Sequence, residues 1–281
     1  MLATLLIVFR EVLEAGLIVG IVLAATEGVA RRGIWIAGGI AGGVAGAAIL
    51  AGFAGVLANA FSGNGQELFN AAILIVAVVM LTLHITWMAS HAGQMAREMK
   101  EMGRSVATGD RTLGAMAAVV MLAVLREGSE VVLFLFGIAT SSGAGAGGML
   151  TGGALGVAAG AAVSWLLYRG LTAIPMRHLF KVTNGMVAFL AAGMAGQAAS
   201  ILSSAGYLPT LGDQIWDSSA ILRDDSVVGR ALHALIGYSD RPSGIQLIAF
   251  LATLAALVAL HRLVGHGPQS RTPASAATHA R

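Results

Sequence analysis

The chain has 281 residues, of which 57% are hydrophobic and only 11% are charged. Soluble domains carry about 25% charged residues, so this composition excludes a soluble enzyme and indicates a polytopic membrane protein. The chain contains no cysteine, which excludes a thiolate metal site and a disulfide. The formal net charge of +3 is typical of basic cytoplasmic loops in a membrane protein, so no nucleic-acid partner is expected.

Seven apolar segments follow one another along the chain, and each is long enough to cross the roughly 30 Å of hydrocarbon in a bilayer. They cover residues 2–25, 34–58, 69–89, 113–137, 149–168, 179–202 and 244–264. We therefore expect an all-α polytopic membrane protein with seven transmembrane helices and a single transmembrane domain over residues 1–265. Residues 266–281, which are rich in Pro, Ser, Thr and Ala, are expected to form a disordered cytoplasmic tail.

The first segment contains three charged residues in its middle, Arg10, Glu11 and Glu14. Each charge at the centre of a membrane helix costs about 2.5–3.5 kcal/mol, so such residues indicate a functional site. On an α-helix the two glutamates share a face, and Arg10 lies one turn from Glu14, within reach of an ion pair.

The fourth segment repeats this pattern 116 residues later with Arg126, Glu127 and Glu130. Together the two copies supply four carboxylates and two guanidinium groups, so the cluster is two positive charges short of neutrality. Carboxylate oxygens suit hard cations. The predicted metal ligands are therefore the four motif glutamates, and the two arginines are predicted to support them. They are Glu11, Glu14, Glu127 and Glu130, with Arg10 and Arg126.

Segments one to three and four to six form an internal repeat, over residues of about 1–90 and 113–202. The second segment of each unit carries glycine at every fourth position, which lets helices approach closely. These glycines are Gly38, Gly42, Gly46, Gly152, Gly156 and Gly160. Because each unit has three spans, the second unit is expected to be inverted relative to the first, with the seventh helix outside the repeat. Inverted repeats place substrate sites near the membrane midplane.

The basic residues indicate the orientation of the chain. If the N-terminus lies outside, twelve of the seventeen basic residues lie in or beside the loops 26–33, 90–112 and 169–178 and the tail, which are then cytoplasmic. Cytoplasmic loops carry an excess of Lys and Arg. The sequence therefore predicts a multi-pass protein of the inner (cytoplasmic) membrane with its N-terminus outside and its C-terminus in the cytoplasm.

The outer segment, residues 203–243, is acidic. One interpretation is a solvated loop with an interfacial helix. The other, which is compatible with it, is a mouth that collects cations above the intramembrane site. Its possible cation-collecting residues are Asp213, Asp217, Asp224 and Asp225.

The paired Arg-Glu-x-x-Glu helices resemble those of the high-affinity ferric iron permeases of yeast and bacteria, the oxidase-linked iron transporter family. The family motif is usually Arg-Glu-Gly-Leu-Glu; here Val12 replaces the glycine of the first copy and Ser129 the leucine of the second, which keeps Gly128. Parts of residues 208–246, including Ile215 to Ser219 and Arg241 to Gly244, also look like the bacterial members.

The resemblance implies that the motif glutamates carry Fe(III) across the membrane, as substrate and with no resident cofactor. It also implies a possible oxidase or periplasmic iron-delivery protein as partner. Some relatives in the family are assigned to lead, so the transported metal, including Fe(II) against Fe(III), stays open.

Three other interpretations compete with metal transport. A proton-coupled organic-cation transporter would need aromatic residues near the site, and the two motif segments offer only Phe9, Phe134 and Phe136. Ion pairs that merely join helices would leave two carboxylates unpaired, which is costly in a low dielectric. An enzyme is not expected, because the first six segments lack a His-Glu-x-x-His or Gly-x-Ser-x-Gly motif. His84 and His91 look isolated and are expected to pack or snorkel rather than bind metal.

Overall fold

The computed structural model describes residues 1–60, 65–142, 145–170, 176–224, 226, 228–229, 232–233 and 237–265. Within these ranges the long helices are α1 (Leu2–Ala25), α2 (Arg32–Ala60), α3 (Gln66–Ala107), α4 (Leu113–Ser142), α5 (Ala146–Tyr168), α6 (Met176–Ser204) and α7 (Gly244–Gly265). Each predicted segment falls on one of these helices, so the all-α prediction is confirmed. That all seven cross a membrane stays a prediction, and the predicted disordered tail lies outside the described residues.

Among the described residues, four stretches are long and apolar enough to cross a membrane, namely Arg32–Val56, Gln66–Met88, Ala146–Tyr168 and Val182–Ser204. A shorter apolar stretch, Gly244–Leu260, lies in α7. The two motif helices α1 and α4 are comparable in length, but each carries three charged residues in its middle. These two helices therefore depend on neighbouring helices to shield their charges.

The predicted loop 90–112 is wrong over most of its length, because α3 continues as a helix to Ala107. The continuation is polar, but Met, Ala, Arg, Glu and Lys are all strong helix formers. Gln94 also donates to the Glu98 carboxylate one turn later, at 2.8 Å. The apolar run ends near residue 89, at the end of the predicted span, whereas the helix continues to Ala107.

Helices α1 and α4 run antiparallel through the middle of the bundle. One apolar cluster joins Ala3 and Ile7 of α1 to Phe134 and Ile138 of α4, with residues of α3 and α6. A second cluster joins Val22, near the end of α1, to the beginning of α4. The two charged motifs lie between these clusters along the helices.

Each motif helix packs along the glycine-bearing helix of the other unit, α1 on α5 and α4 on α2. On α5, Gly152, Gly156 and Gly160 face the main-chain oxygens of α1. A Cβ atom at Gly156 would lie 2.8 Å from the Leu5 oxygen, and one at Gly160 would lie 2.9 Å from the Phe9 oxygen. Glycine is therefore required there, as predicted for this helix.

The corresponding contacts of α2 use different glycines from those predicted. Gly38 faces open space, whereas a Cβ atom at Gly39 or Gly43 would lie 2.6 or 2.8 Å from the main-chain oxygens of Ala117 and Met121. Gly42 and Gly46 contact only side chains of α4. The sequence contains both sets of glycines, Gly38, Gly42 and Gly46 and also Gly39 and Gly43. Which set faces α4 depends on how α2 is rotated about its own axis.

The two glycine contacts correspond position by position. Leu5 faces Gly156, and Met121 faces Gly43. Leu5 and Met121 are 116 positions apart, as are the two Arg-Glu-x-x-Glu motifs, and the two glycines are 113 positions apart. One pair differs in size: Val12 packs on Gly160, and at the equivalent place Gly128 packs on Ala47. The valine in the first motif is therefore accommodated by a glycine on α5.

The pairing of a larger residue with a smaller one at Val12–Gly160 and at Gly128–Ala47 can be tested by measuring the stability of variants. Gly160→Ala is expected to destabilise the protein by about 1–3 kcal/mol, because its new methyl group overlaps Val12 and the Phe9 oxygen. Adding Val12→Gly recreates the Gly128–Ala47 pair and should recover part of the loss. Thermal unfolding of the purified protein measures both effects. Gly153→Ala is the control, because no described atom lies within 4 Å of a Cβ atom placed there. An equal loss in the single and double variants would contradict the pairing.

Candidate metal centre

Arg10 lies in the interior of the bundle, with 1% of its side chain exposed. Its Nη1 atom lies 2.6 Å from Glu11 Oε1, and its Nη2 atom lies 2.8 Å from Glu14 Oε1. Helical spacing places Glu14 one turn from Arg10, and the same guanidinium group also reaches the adjacent Glu11. The in-helix ion pair expected from the sequence is therefore present and includes both glutamates.

Glu127 and Glu130 of α4 are buried on the opposite side of the same site. The carboxylates of Glu11 and Glu127 lie against each other. Each of these two has one buried oxygen to which no described group donates a hydrogen bond. Buried acceptors without a donor are costly, and a bound cation would satisfy them.

His84 of α3 joins the two motifs. Its Nε2 atom lies 3.2 Å from Glu14 Oε2, and its Nδ1 atom contacts Glu130 Oε2. His84 is not isolated, contrary to the expectation from the sequence, because α3 packs against both α1 and α4 and both ring nitrogens lie against carboxylates. The signal was available in the sequence: a lone polar ring in an otherwise apolar segment, the same reasoning that singled out the glutamates.

Four buried side chains, Glu11, His84, Glu127 and Glu130, each offer one ligand atom, and these atoms all lie within 4.8 Å of one another. This geometry would allow one metal ion to bind all four residues. Three of the four predicted glutamates belong to this group. Glu14 lies beside it, where Arg10 and His84 occupy its oxygens.

Arg126 does not take the position that Arg10 takes. Its side chain is 38% exposed, and its Nε atom lies 3.4 Å from Glu130 Oε1. Its guanidinium carbon lies 4.3 Å from the centre of the Trp87 ring. The sequence predicts equal parts for the two arginines, but the second lies at the edge of the site, against the Trp87 ring.

A cavity of about 200 Å³ adjoins the site. Glu14 and Glu127 lie in its wall. The rest of the lining is apolar and comes from the second half of α1 and from α3: Leu17, Ile18, Ile21, Met88, Met95, Ala96 and Met99.

Residues 1–265 match the iron permease FTR1 family. The chain belongs to the FTR1 iron permease family. The family predicted from the paired motifs is thus confirmed.

Similar FTR1-type proteins include bacterial relatives named ferrous iron permease EfeU. The chain is 31% identical over 265 residues to that of Escherichia coli O157:H7, covering 92% of this chain and 95% of the relative. It is 31% identical over 264 residues to that of Yersinia pestis, covering 92% of each. No solved structure matches the chain.

Two of the four aspartates singled out in residues 203–243 of this FTR1-family chain make separate contacts. Asp217 accepts hydrogen bonds from the hydroxyl and the N–H of Ser219 and pairs with Arg241 at 3.2 Å, and these contacts lower its pKa to about 2. Partial burial, together with the charge of Asp240, raises the pKa of Asp224. Asp213 is exposed, and Asp225 lies outside the described residues.

A collecting role for these aspartates stays a prediction. Replacing Asp213, Asp217, Asp224 and Asp225 together with Asn should raise the KM for metal uptake at an unchanged maximal rate, with a smaller effect at high salt. Arg241→Gln should lower the KM, because it removes the positive charge beside Asp217. Uptake kinetics at two ionic strengths measure both, and an unchanged KM in both variants would leave only the solvated-loop interpretation.

Proposed function

We propose that this chain is a permease that moves iron across the cytoplasmic membrane through a site between its two Arg-Glu-x-x-Glu helices. The observation that carries the proposal is the buried group of three carboxylates and one imidazole, whose ligand atoms lie within 4.8 Å of one another. Membership of the iron permease family supports iron as the substrate.

The charge of the site supports a cation as its occupant. Four buried carboxylates converge there, and Arg10 is the one guanidinium group fully buried among them in the described part of the chain. Unpaired buried charge is strongly unfavourable. A metal ion supplies the missing positive charge and bonds the carboxylate oxygens that lack a donor.

For the oxidation state we propose Fe(II), with Fe(III) as the alternative. A set of carboxylates alone suits hard ions, whereas imidazole suits iron and other transition metals. His84 therefore favours Fe(II) over the Fe(III) expected from the family resemblance, and the similar bacterial proteins are named ferrous iron permeases. Lead and organic cations have no comparable support.

We also propose that the two three-helix units are inverted repeats, with the site near the membrane midplane. The position-by-position match of the α1–α5 and α2–α4 contacts supports this arrangement. The basic loops favour an N-terminus outside the cytoplasm. A reporter active only outside the cytoplasm, fused within residues 205–243, should be active. An oxidase or iron-delivery protein as partner stays a prediction.

Uptake into proteoliposomes tests the proposed function. Radioactive iron is supplied as Fe(II) under anaerobic conditions, or separately as Fe(III), with Pb²⁺ and an organic cation as competitors. Faster uptake of Fe(II) than by vesicles without protein is the expected result. Uptake no faster than in empty vesicles for either iron species would reject the proposal, and uptake of Fe(III) alone would reject the assigned oxidation state.

A further inference from the structure

The two motif arginines occupy equivalent sequence positions but different environments. Arg10 is buried and bonded to both glutamates of its own motif. Arg126 is more than a third exposed, makes one long contact with Glu130, and lies over the Trp87 ring. Two arginines at equivalent positions of the repeated motif therefore have different surroundings in the described structure.

This asymmetry has a consequence for the ligands. Arg10 occupies one oxygen of Glu11 and one of Glu14, and only Glu11 remains in the group of ligand atoms. In the second motif, where the arginine is displaced, both Glu127 and Glu130 belong to that group. A guanidinium group on a carboxylate competes with a metal ion for the same oxygens.

Trp87 is the side chain that lies against the displaced guanidinium group. A cation over an indole ring is stabilised by about 0.5–2 kcal/mol. The ring is itself stacked on the imidazole of His91, with 5.1 Å between centroids and 7° between planes. Trp87 follows His84 on α3 by about one turn, so one helix supplies both the imidazole of the site and the partner of Arg126.

We propose that Trp87 is a positioning residue that holds Arg126 away from Glu127 and Glu130 and so keeps these carboxylates available to the metal ion. The inference rests on the proposed function. Without the ring, Arg126 would turn to the two carboxylates of its own motif, as Arg10 does, and would compete with the metal.

Metal affinity of the purified full chain tests this role, with Fe(II) under anaerobic conditions as the probe in equilibrium dialysis. Trp87→Leu should raise the Kd by about 2- to 30-fold, the range that corresponds to one cation–π contact. Trp87→Met gives a second test with a different apolar side chain. Trp87→Phe keeps an aromatic face and should retain most of the affinity.

A double-variant cycle separates positioning from a general structural role. In an Arg126→Gln background no guanidinium group remains to compete for Glu127 and Glu130, so Trp87→Leu should have no further effect on the Kd. Trp165→Leu is the matched control, because Trp165 of α5 lies under Arg169 at 5.0 Å but is not part of the site. It should leave the Kd unchanged.

The proposal is overturned if the Kd is unchanged in both Trp87→Leu and Trp87→Met, or if Trp87→Leu weakens binding equally with and without Arg126. Failure of the proposed function has a different signature: the unmodified chain would not bind Fe(II), or Glu127→Gln would leave its affinity intact.

Discussion

Glu11→Gln and Glu127→Gln should each reduce iron uptake by at least about 100-fold at normal abundance in the membrane. Each substitution keeps the shape of the side chain and removes one charge and one strong ligand. Substitutions of residues that only support metal ligands already cost about 10–100-fold in affinity or activity. These two carboxylates lie against each other, and each has a buried oxygen to which no described group donates a hydrogen bond.

Uptake and abundance are measured in the same cells, with Glu67→Gln as the control because Glu67 is exposed in the first turn of α3. If the motifs only join helices, the variants would instead lose protein from the membrane in proportion to uptake. Normal uptake by the double variant Glu11→Gln, Glu127→Gln would refute a shared site.

His84→Leu should abolish Fe(II) binding and lower thermal stability. The imidazole is buried between Glu14 and Glu130, and removing one partner from a buried charged network costs about 3–5 kcal/mol. His84→Gln retains a polar group of similar reach, so it should recover stability more than binding and should reduce the preference for Fe(II) over Ca²⁺.

Equilibrium dialysis with Fe(II) and Ca²⁺, together with thermal unfolding, measures these effects. Thr82→Val is the control on the same helix, because the Thr82 hydroxyl donates only to the Val78 carbonyl oxygen within α3. An unchanged Fe(II) affinity in both His84 variants would exclude the imidazole as a ligand.

The sequence predicted the parts of the fold and site that depend on one segment at a time. The bounds of α1 and the beginning of α4 agree with the apolar runs. The ion pair of Arg10 with Glu14 follows from helical spacing. The polar continuation of α3 was missed, because hydropathy reports the thickness of the hydrocarbon and not the end of a helix.

The remaining features depend on how segments meet. His84 belongs to the site only because α3 packs against both motif helices. The charged positions of the two motifs are the same, so the sequence offers no reason to separate Arg10 from Arg126. We attribute the different positions of the two arginines to Trp87, which lies beside Arg126. Trp87 belongs to α3, and comparing the motifs of α1 and α4 does not show which residue of α3 lies beside either arginine.

The packing of α1 on α5 and of α4 on α2 also governs how the chain can assemble during synthesis. The main-chain partner of Leu5 is Gly156, so the first helix emerges from the ribosome long before the helix that it packs against. Its three charges also lack the residues that surround them in the finished protein until α3 and α4 have been made. Neither half of the chain can complete its helix packing alone, because α1 packs on α5 and α2 packs on α4 of the other half.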